Sequence, residues 1–330
     1  TSTATNISEI LVNATATVFD GFPEYLVWNP VNTISGPAFT TGLAELGYTA
    51  VESPDLFMFG DPVDAEYSAI FVCLGIYPDN YSLTEGSAEV QALLAFAEAG
   101  YPLYMEGGDT WAFDQQTSLH SIFGIDGVAD GGADLTAVEG ETLLDGMDYS
   151  YFGGNNYIDH LAPFAQDAMI FHTNPADGAA CGIGNLTPGA NTIGTSFEFG
   201  GLGEGTNTVT ELLTEYLDFL FMPYVDLWSP IVGGVTRFTF TMDQEGPYSI
   251  EAFVTDNVGV TDVTLYYNLN NGEFVPVTMT DQGDGIYFGD IPGQVAGTTV
   301  AYYVMGSDEA GNEGFAPVGA PTDLYVFSVV

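Results

Sequence analysis

The sequence predicts an α/β doubly wound domain over residues 22–222, followed by an all-β sandwich over residues 236–330. Two patterns predict this division. In the first part, apolar runs of strand length alternate with stretches of helical spacing, which is typical of a parallel sheet covered by helices. In the second part, helical spacing gives way to short alternating segments. The chain of 330 residues also exceeds the usual size of one domain, so residues 223–235 are predicted to be a linker.

The first strand and helix carry clear local signals. Tyr25–Trp28 is an apolar run typical of a buried strand. A helix is predicted soon after it, because Pro37 suits a first turn and Phe39 and Leu43 share one face. Gly47 is the predicted C-terminal stop of this helix.

Further elements follow in the same alternation. The runs Ala69–Leu74 and Leu103–Met105 are predicted to be buried parallel strands, and Val90–Ala97 between them has helical spacing. A last helix is predicted near residue 208, where Thr208 and Glu211 have the spacing of a capping box.

The C-terminal part alternates apolar and polar residues with a period of two. Tyr248–Val254, Val263–Tyr267 and Val300–Val304 show this pattern, and turn signals such as Asn270–Gly272 separate the segments. An antiparallel sandwich of about 100 residues is therefore expected.

Residues 1–21 form a β-prone N-terminal arm ahead of the first strand. Two interpretations stay open for this arm. It is either an additional edge strand on its own sheet, or a strand that completes a sheet of a neighbouring subunit.

The charge balance limits the possible partners. The chain has 45 acidic residues but only one base, Arg237, and a net charge of −44. One base cannot build a basic patch, so binding to nucleic acid or anionic lipid is excluded. No apolar run is long enough for membrane insertion. The polar opening Thr1–Thr5 is typical of a mature chain after signal-peptide removal, which predicts a secreted, extracellular protein.

Four segments resemble a known family: Phe71–Tyr77, Leu103–Trp111, Tyr157–His160 and Ser196–Leu202. They are similar to a flavodoxin-like domain of secreted bacterial surface proteins, cargo of the type IX secretion system. That domain is distantly similar to the gingipain peptidases. Residues 236–330 resemble the immunoglobulin-like or fibronectin-like modules that follow such domains. The resemblance implies a location outside the cell rather than a particular chemistry.

A thiol–imidazole pair is the main catalytic candidate. Cys181 follows His160 and His172 at plausible distances, and gingipain-like peptidases activate a cysteine with a histidine. Neither histidine is followed by the glycine usual in that family, and Cys181 is predicted to lie in a glycine-rich loop. The sequence favours an ordinary loop cysteine, and we expect no enzyme activity.

Several acidic residues are candidates for a cation site. Glu106 and Asp109 follow a predicted strand, where they suit either an acid–base pair, a metal site or a tight turn. Hard oxygen ligands on loops also suit Ca²⁺, which is the one cofactor the sequence suggests. The calcium candidates are Glu106, Asp109, Asp126, Asp130, Asp134, Asp256 and Asp308. Solvated turn residues are the plainer interpretation of each cluster.

The sequence therefore predicts an extracellular structural or adhesive surface protein that assembles with copies of itself into a filament or layer. Two alternatives remain. One is a cysteine hydrolase that uses Cys181. The other is a carbohydrate-binding module for surface glycans, for which exposed Trp28, Trp111 and clusters of tyrosines would line a groove.

Overall fold

The computed structural model describes residues 23–330. The chain divides into two compact units, Thr1–Pro223 and Tyr224–Val330. Each unit has its own hydrophobic core. The N-terminal arm predicted over residues 1–21 lies outside the described residues.

The first unit is built on one mixed sheet of twelve strands among the described residues. These strands are β1 (Tyr25–Trp28), β2 (Ala50–Ser53), β3 (Ala69–Cys73), β4 (Leu103–Glu106), β5 (Ile125–Ala129), β6 (Ala137–Gly140), β7 (Tyr149–Tyr151), β8 (His160–Pro163), β9 (Ala168–Thr173), β10 (Ala180–Asn185), β11 (Thr192–Thr195) and β12 (Leu202–Gly203). Strands β2, β1, β3, β4 and β11 are neighbours in that order and pair in parallel. The other strands pair antiparallel.

Four α-helices accompany this sheet in the described chain. They are α1 (Ser35–Glu45), α2 (Ala88–Glu98), α3 (Leu119–Phe123) and α4 (Val209–Leu220). Apolar side chains of α1 and α4 pack in one core cluster with Phe71 and Tyr104. Those of α2 and α3 pack in a second cluster with Ile70 and Val72, because successive residues of a strand point to opposite faces.

The predicted doubly wound, flavodoxin-like fold is wrong for this unit. A doubly wound fold alternates parallel strands with helices. Here eight consecutive strands, β5 to β12, follow one another between Ile125 and Gly203 without an α-helix. Antiparallel strands therefore extend the parallel section into a mixed, mostly β unit, and the early alternation of strand and helix does not continue.

Individual elements of the parallel section agree with the sequence pattern. The strands predicted at Tyr25–Trp28 and Leu103–Met105 are confirmed as β1 and β4, and the helix that contains Pro37 is confirmed as α1. The capping box of α4 is confirmed: the Thr208 side chain accepts from the Glu211 amide at 3.1 Å, and the Glu211 side chain accepts from the Thr208 amide at 2.7 Å.

The expected loop around Cys181 is instead the buried strand β10. Its glycines have a packing reason. A Cβ atom on Gly182 would lie 2.8 Å from the His172 ring, and one on Gly184 would lie 2.4 Å from the Phe171 ring. Since rings of the adjacent strand β9 cover this backbone, glycine fits a strand position here that the sequence alone suggests is a loop.

The second unit contains two sheets, built from ten strands of two to ten residues. They are β13 (Ile231–Gly233), β14 (Phe240–Thr241), β15 (Tyr248–Thr255), β16 (Val260–Leu269), β17 (Val275–Thr278), β18 (Thr280–Asp281), β19 (Ile286–Ile291), β20 (Thr299–Asp308), β21 (Glu313–Ala316) and β22 (Tyr325–Val329). One sheet has the order β13-β15-β19-β18. The other has the order β14-β22-β20-β16-β17, with β21 paired to β20.

The predicted immunoglobulin-like sandwich is also wrong. Such a fold has seven to nine antiparallel strands, whereas this unit has ten and pairs β14 in parallel with β22. The alternation in Tyr248–Val254 does identify the buried face of β15, where every second residue is buried. Alternation defines which face is buried but not which strand is the neighbour.

Candidate functional site

Tyr77 lines two neighbouring clefts in the loops that follow β1, β3 and β4. We call the pair the Tyr77 groove. The larger cleft, about 710 Å³, is lined by residues 31–34 and 75–80 with Gly154, Asn156 and Glu198. The smaller cleft, about 330 Å³, is lined by Tyr77, Asp109, Phe113, Asp130 and Tyr157. Parallel strands commonly present ligand sites at their carboxyl ends, and the groove lies there.

Three aromatic rings of the groove are exposed. Tyr77 is 50% exposed, Tyr157 is 54% exposed and Phe113 is 65% exposed. The Tyr77 and Tyr157 rings meet edge to face, with centroids 6.0 Å apart. Tyr157 has a φ of 55°, a left-handed conformation that is unfavourable for a bulky residue. Strain of this kind is concentrated at functional sites.

Asp109 is the buried carboxyl group of the smaller cleft. Its Oδ1 atom has no hydrogen-bond partner. Burial, together with the charges of Asp114 and Asp130, raises the pKa of Asp109 to about 6. A carboxyl group with this pKa is partly protonated near neutral pH, so it can both donate and accept a hydrogen bond.

Asp159 lies beneath the groove. Its Oδ2 atom accepts hydrogen bonds from the Trp111 amide at 2.9 Å and the Ala112 amide at 2.7 Å. Burial raises the pKa of Asp159 to about 7, although these two hydrogen bonds favour the ionised form. The negative charge of Asp109 raises it as well, so these two carboxyl groups influence each other's ionisation.

Glu106 and Asp109 do not form the acid–base pair that the sequence suggests as one option. Glu106 is fully buried, and its Oε2 atom accepts from the Tyr104 hydroxyl at 3.0 Å and the Phe199 amide at 2.7 Å. Burial raises the pKa of Glu106 to about 8, so it is mostly protonated at neutral pH. Glu106 lies in the core, whereas Asp109 lines the groove, so the two carboxyl groups have different roles.

The thiol–imidazole candidates are not arranged for nucleophilic catalysis. Cys181 is 1% exposed, and burial raises the pKa of its thiol. The buried His172 bonds through Nε2 to the Tyr216 hydroxyl at 2.6 Å, and burial lowers its pKa to about 3. The Nε2 atom of His160 lies 3.0 Å from the Oδ2 atom of Asp177. An active cysteine needs a lowered thiol pKa and access to substrate, and Cys181 has neither.

The second unit contains an acidic cluster whose carboxylate oxygens lie close together. Among residues 23–330, one group of three acids places its ligand oxygens within 4.8 Å of one another: Asp226, Asp256 and Asp308. We call it the aspartate triad. The sequence singles out two of its members but not Asp226, which falls in the predicted linker.

The remaining calcium candidates lie apart from this triad. Asp126 is on strand β5 rather than in a loop. Asp130 lines the Tyr77 groove. Asp134 accepts a hydrogen bond from the Asn174 side-chain amide at 3.2 Å. The spacing of four residues that links these acids in the sequence therefore does not bring them to one point.

Both tryptophans proposed for a glycan groove are buried instead. The Trp28 indole donates to the Pro54 carbonyl at 3.2 Å, and the Trp111 indole donates to the Thr195 carbonyl at 2.9 Å. Clusters of tyrosines were predicted for such a groove, but neither Tyr77, Tyr157 nor Phe113 was identified individually. Tyr157 belongs to one of the family-like segments, but nothing in the sequence indicates that it meets Tyr77.

No protein-family model matches the sequence, and no curated protein matches it. Among solved structures, the chain is similar to the carbohydrate-binding module BhCBM56, at 18% identity over 24% of this chain and 76% of that one, with a TM-score of 0.19. It is also similar to the exo-β-1,4-mannosidase Op5Man5 from Opitutaceae bacterium strain TAV5, at 11% identity over 60% of this chain and 34% of the enzyme, with a TM-score of 0.38. A third neighbour is an engineered protein, at 10% identity over 92% and 60%, with a TM-score of 0.22. Scores this low assign neither a fold nor a function.

Proposed function

We propose that this chain is a carbohydrate-binding protein that holds a neutral oligosaccharide in the Tyr77 groove. One observation carries the proposal: three exposed aromatic rings and the carboxyl groups of Asp109 and Asp130 line the same cleft. Exposed rings in a concave site offer apolar faces to a ligand. The apolar face of a sugar ring stacks on such a surface, and its hydroxyl groups reach the carboxyl groups.

The polar lining of the larger cleft suits hydroxyl groups. Asn32, Asn80 and Asn156 supply amides that both donate and accept, and Thr33 supplies a hydroxyl group. The Asn156 amide also donates to the Tyr77 carbonyl at 3.3 Å, which holds the two clefts together. A ligand with alternating donors and acceptors along its length is a better match to this lining than an apolar one.

Charge excludes an anionic ligand. Arg237, the one base of the chain, belongs to the second unit, and its guanidinium lies 4.8 Å from the centroid of the Tyr325 ring. A net charge of −44 repels anions at every approach. Uncharged saccharides are not repelled by this charge, and their binding requires no basic side chain.

The test is calorimetric titration of the full chain with neutral hexasaccharides of glucose and of mannose in β-1,3 and β-1,4 linkage. We expect at least one to bind. Tyr157→Ala should weaken binding about tenfold, which corresponds to about 1.4 kcal/mol lost with one aromatic contact. Phe164→Ala is the matched control, because Phe164 is equally exposed at 54% and does not line the groove.

Two results would contradict this function. One is the absence of binding by every hexasaccharide. The other is binding of a quaternary ammonium ion, with choline as the probe, that depends on Tyr157 while no sugar binds, because aromatic rings beside carboxylates also suit cations.

Extracellular location, self-assembly and the surface-protein resemblance stay predictions. They rest on the composition and on the N-terminal arm, which lies outside the described residues. Among the described residues, no helix has the length and apolar character needed to cross a membrane. Electron microscopy of the full chain in calcium-containing buffer tests the assembly directly, since filaments or layers are expected and dispersed single particles would contradict them.

A further inference from the structure

We infer that the aspartate triad of the second unit, Asp226, Asp256 and Asp308, is a calcium site that fastens the first residues of this unit to two of its turns. The inference is independent of the proposed sugar binding, since it concerns other residues in the other unit.

Three separate segments supply the triad. Asp226 belongs to the stretch before β13, Asp256 begins the turn between β15 and β16, and Asp308 ends β20. Their ligand oxygens all lie within 4.8 Å of one another. Calcium binds oxygen at about 2.4 Å, so two oxygens on opposite sides of one ion lie about 4.8 Å apart. One calcium ion can therefore contact all three carboxylates.

Unpartnered oxygens are the second, independent observation. The Oδ2 atom of Asp226 and the Oδ1 atom of Asp256 are both buried, and neither accepts a hydrogen bond in the structure. Buried polar atoms are nearly always paired, and an unpaired one requires an explanation such as an ion. Two such atoms within one acidic group are therefore placed to ligate a cation.

Hydrogen bonds hold the other Asp256 oxygen and the Asp308 carboxylate in place. The Asp256 Oδ2 atom accepts from the Val258 amide at 2.9 Å and the Gly259 amide at 3.0 Å. The Asp308 carboxylate accepts from the Asn312 amide and from the Asn312 side chain, both at 2.8 Å. These bonds fix the two turns before any ion binds, so little reorganisation is needed on binding.

The Asn312 side chain also donates to the Asp226 carbonyl at 3.2 Å. This bond brings the first segment of the unit to the turn after β20. Among residues 23–330, no ion pair joins the triad to a base, and the arginine of the chain lies against Tyr325. A divalent cation would offset two of the three negative charges of the triad. Calcium is favoured over magnesium because loop carboxylates tolerate its irregular geometry.

The experiment is calorimetric titration of the metal-stripped full chain with CaCl₂, in about 0.15 M NaCl to screen exposed acids. We expect one saturable site with a dissociation constant on the order of 0.1 mM, typical of extracellular calcium modules. Asp256→Asn should weaken it at least about tenfold, because asparagine keeps one oxygen for the turn but removes the charge. MgCl₂ should bind more weakly than CaCl₂.

Asp281→Asn is the matched control. It removes one charge from another turn of the same unit, where the Asp281 Oδ1 atom accepts from the Gly283 amide, and it should leave calcium affinity unchanged. If Asp256→Asn does not fold, Asp226→Asn replaces it. Equal calcium binding by the wild type and the folded triad variant overturns the inference, and so does an equal loss in Asp281→Asn.

A second readout is amide hydrogen exchange. Calcium should slow exchange over residues 224–230 and 308–312 in the wild type but not in Asp256→Asn, because only the intact triad joins these segments through the ion. Slower exchange in both proteins would point to general charge screening and would contradict a specific site.

Discussion

The buried acids of the first unit and the Asp308 carboxylate of the second unit differ in the direction in which their pKa values are shifted. In the first unit, burial raises the pKa of Glu106, Asp109 and Asp159, so these groups tend to keep a proton. In the second unit, burial would raise the pKa of Asp308, but hydrogen bonds from Asn312 and its neighbours outweigh that effect and lower the pKa. Asp308 therefore stays ionised.

The difference follows from what surrounds each carboxyl group. A chain with one base cannot offer ion pairs to its buried acids. An acid in an apolar core becomes neutral by holding a proton. An acid in a turn is surrounded by backbone amides that stabilise its charge, and its remaining charge is available for a metal ion. Where burial outweighs the hydrogen bonds, as at Glu106 and Asp159, the acid keeps a proton. Where the hydrogen bonds outweigh burial, as at Asp308, the acid stays ionised and can bind a cation.

Among the variants that test this comparison, Glu106→Gln should change the free energy of unfolding most. The folded pKa of about 8 lies above the unfolded value of 4.5, so the ionised form destabilises the fold. Below pH 4.5 both states are protonated and the cost vanishes, whereas it grows as the pH rises towards 8. Relative to the wild type, we expect Glu106→Gln to gain unfolding free energy on the order of 4 kcal/mol at pH 9, and much less at pH 5.

The measurement is urea unfolding of the full chain followed by tryptophan fluorescence. Trp28 and Trp111 are buried in the first unit and report on its unfolding. A stability difference between the two proteins that is the same at pH 5 and pH 9 would show that Glu106 does not change its ionisation on folding.

Asp159→Asn should act in the same direction with a smaller effect. Asparagine keeps an oxygen for the Trp111 and Ala112 amides. It removes the ionisable carboxyl group, whose pKa is about 7 in the folded protein. We expect a gain of about 2 kcal/mol at pH 9 and almost none at pH 3.5, from the same unfolding experiment. A loss of stability at pH 9 would contradict the assigned cause of the shift, which is burial.

In the absence of calcium, Asp308→Ala should change the free energy of unfolding least. The pH dependence of this change should be opposite to that of Glu106→Gln and Asp159→Asn. Because the folded pKa is lowered, the ionised carboxylate stabilises the fold above its unfolded pKa. That contribution is lost as the pH falls through the folded value. The variant should be less stable than the wild type at pH 7 and nearly equal to it at pH 2.

The exposed Trp228 belongs to the second unit and gives the fluorescence signal for that measurement. A stability difference that grows as the pH falls would contradict the role given to the amides around Asp308.

Local structure was largely predictable from the sequence, and long-range structure was not. Tyr25–Trp28 and the capping box at Thr208 were predictable because their signals lie within a few residues. Gly182 misled the prediction, since the ring that excludes a side chain there comes from the adjacent strand. The order and direction of strands depend on such contacts, which local spacing does not contain.

The same reason explains the outcome for the candidate sites. Asp256 and Asp308 were identified as turn acids, but their meeting with Asp226 depends on how a preceding segment crosses the second unit. Tyr77 and Tyr157 are 80 residues apart in the sequence and share no periodic pattern. Trp28 and Trp111 appeared suitable for a ligand because of their residue type alone, and burial excludes them.

Carboxyl ¹³C NMR of the full chain with labelled Asp and Glu, at pH 7 with and without CaCl₂, tests the contrast between the two units most directly. Glu106 should have the shift of a protonated acid, and calcium should leave it unchanged. The carboxyl signals of Asp226, Asp256 and Asp308 should move together when calcium is added. An ionised Glu106 at pH 7, or calcium-dependent shifts at Glu106 and Asp159 but not in the triad, would contradict the account.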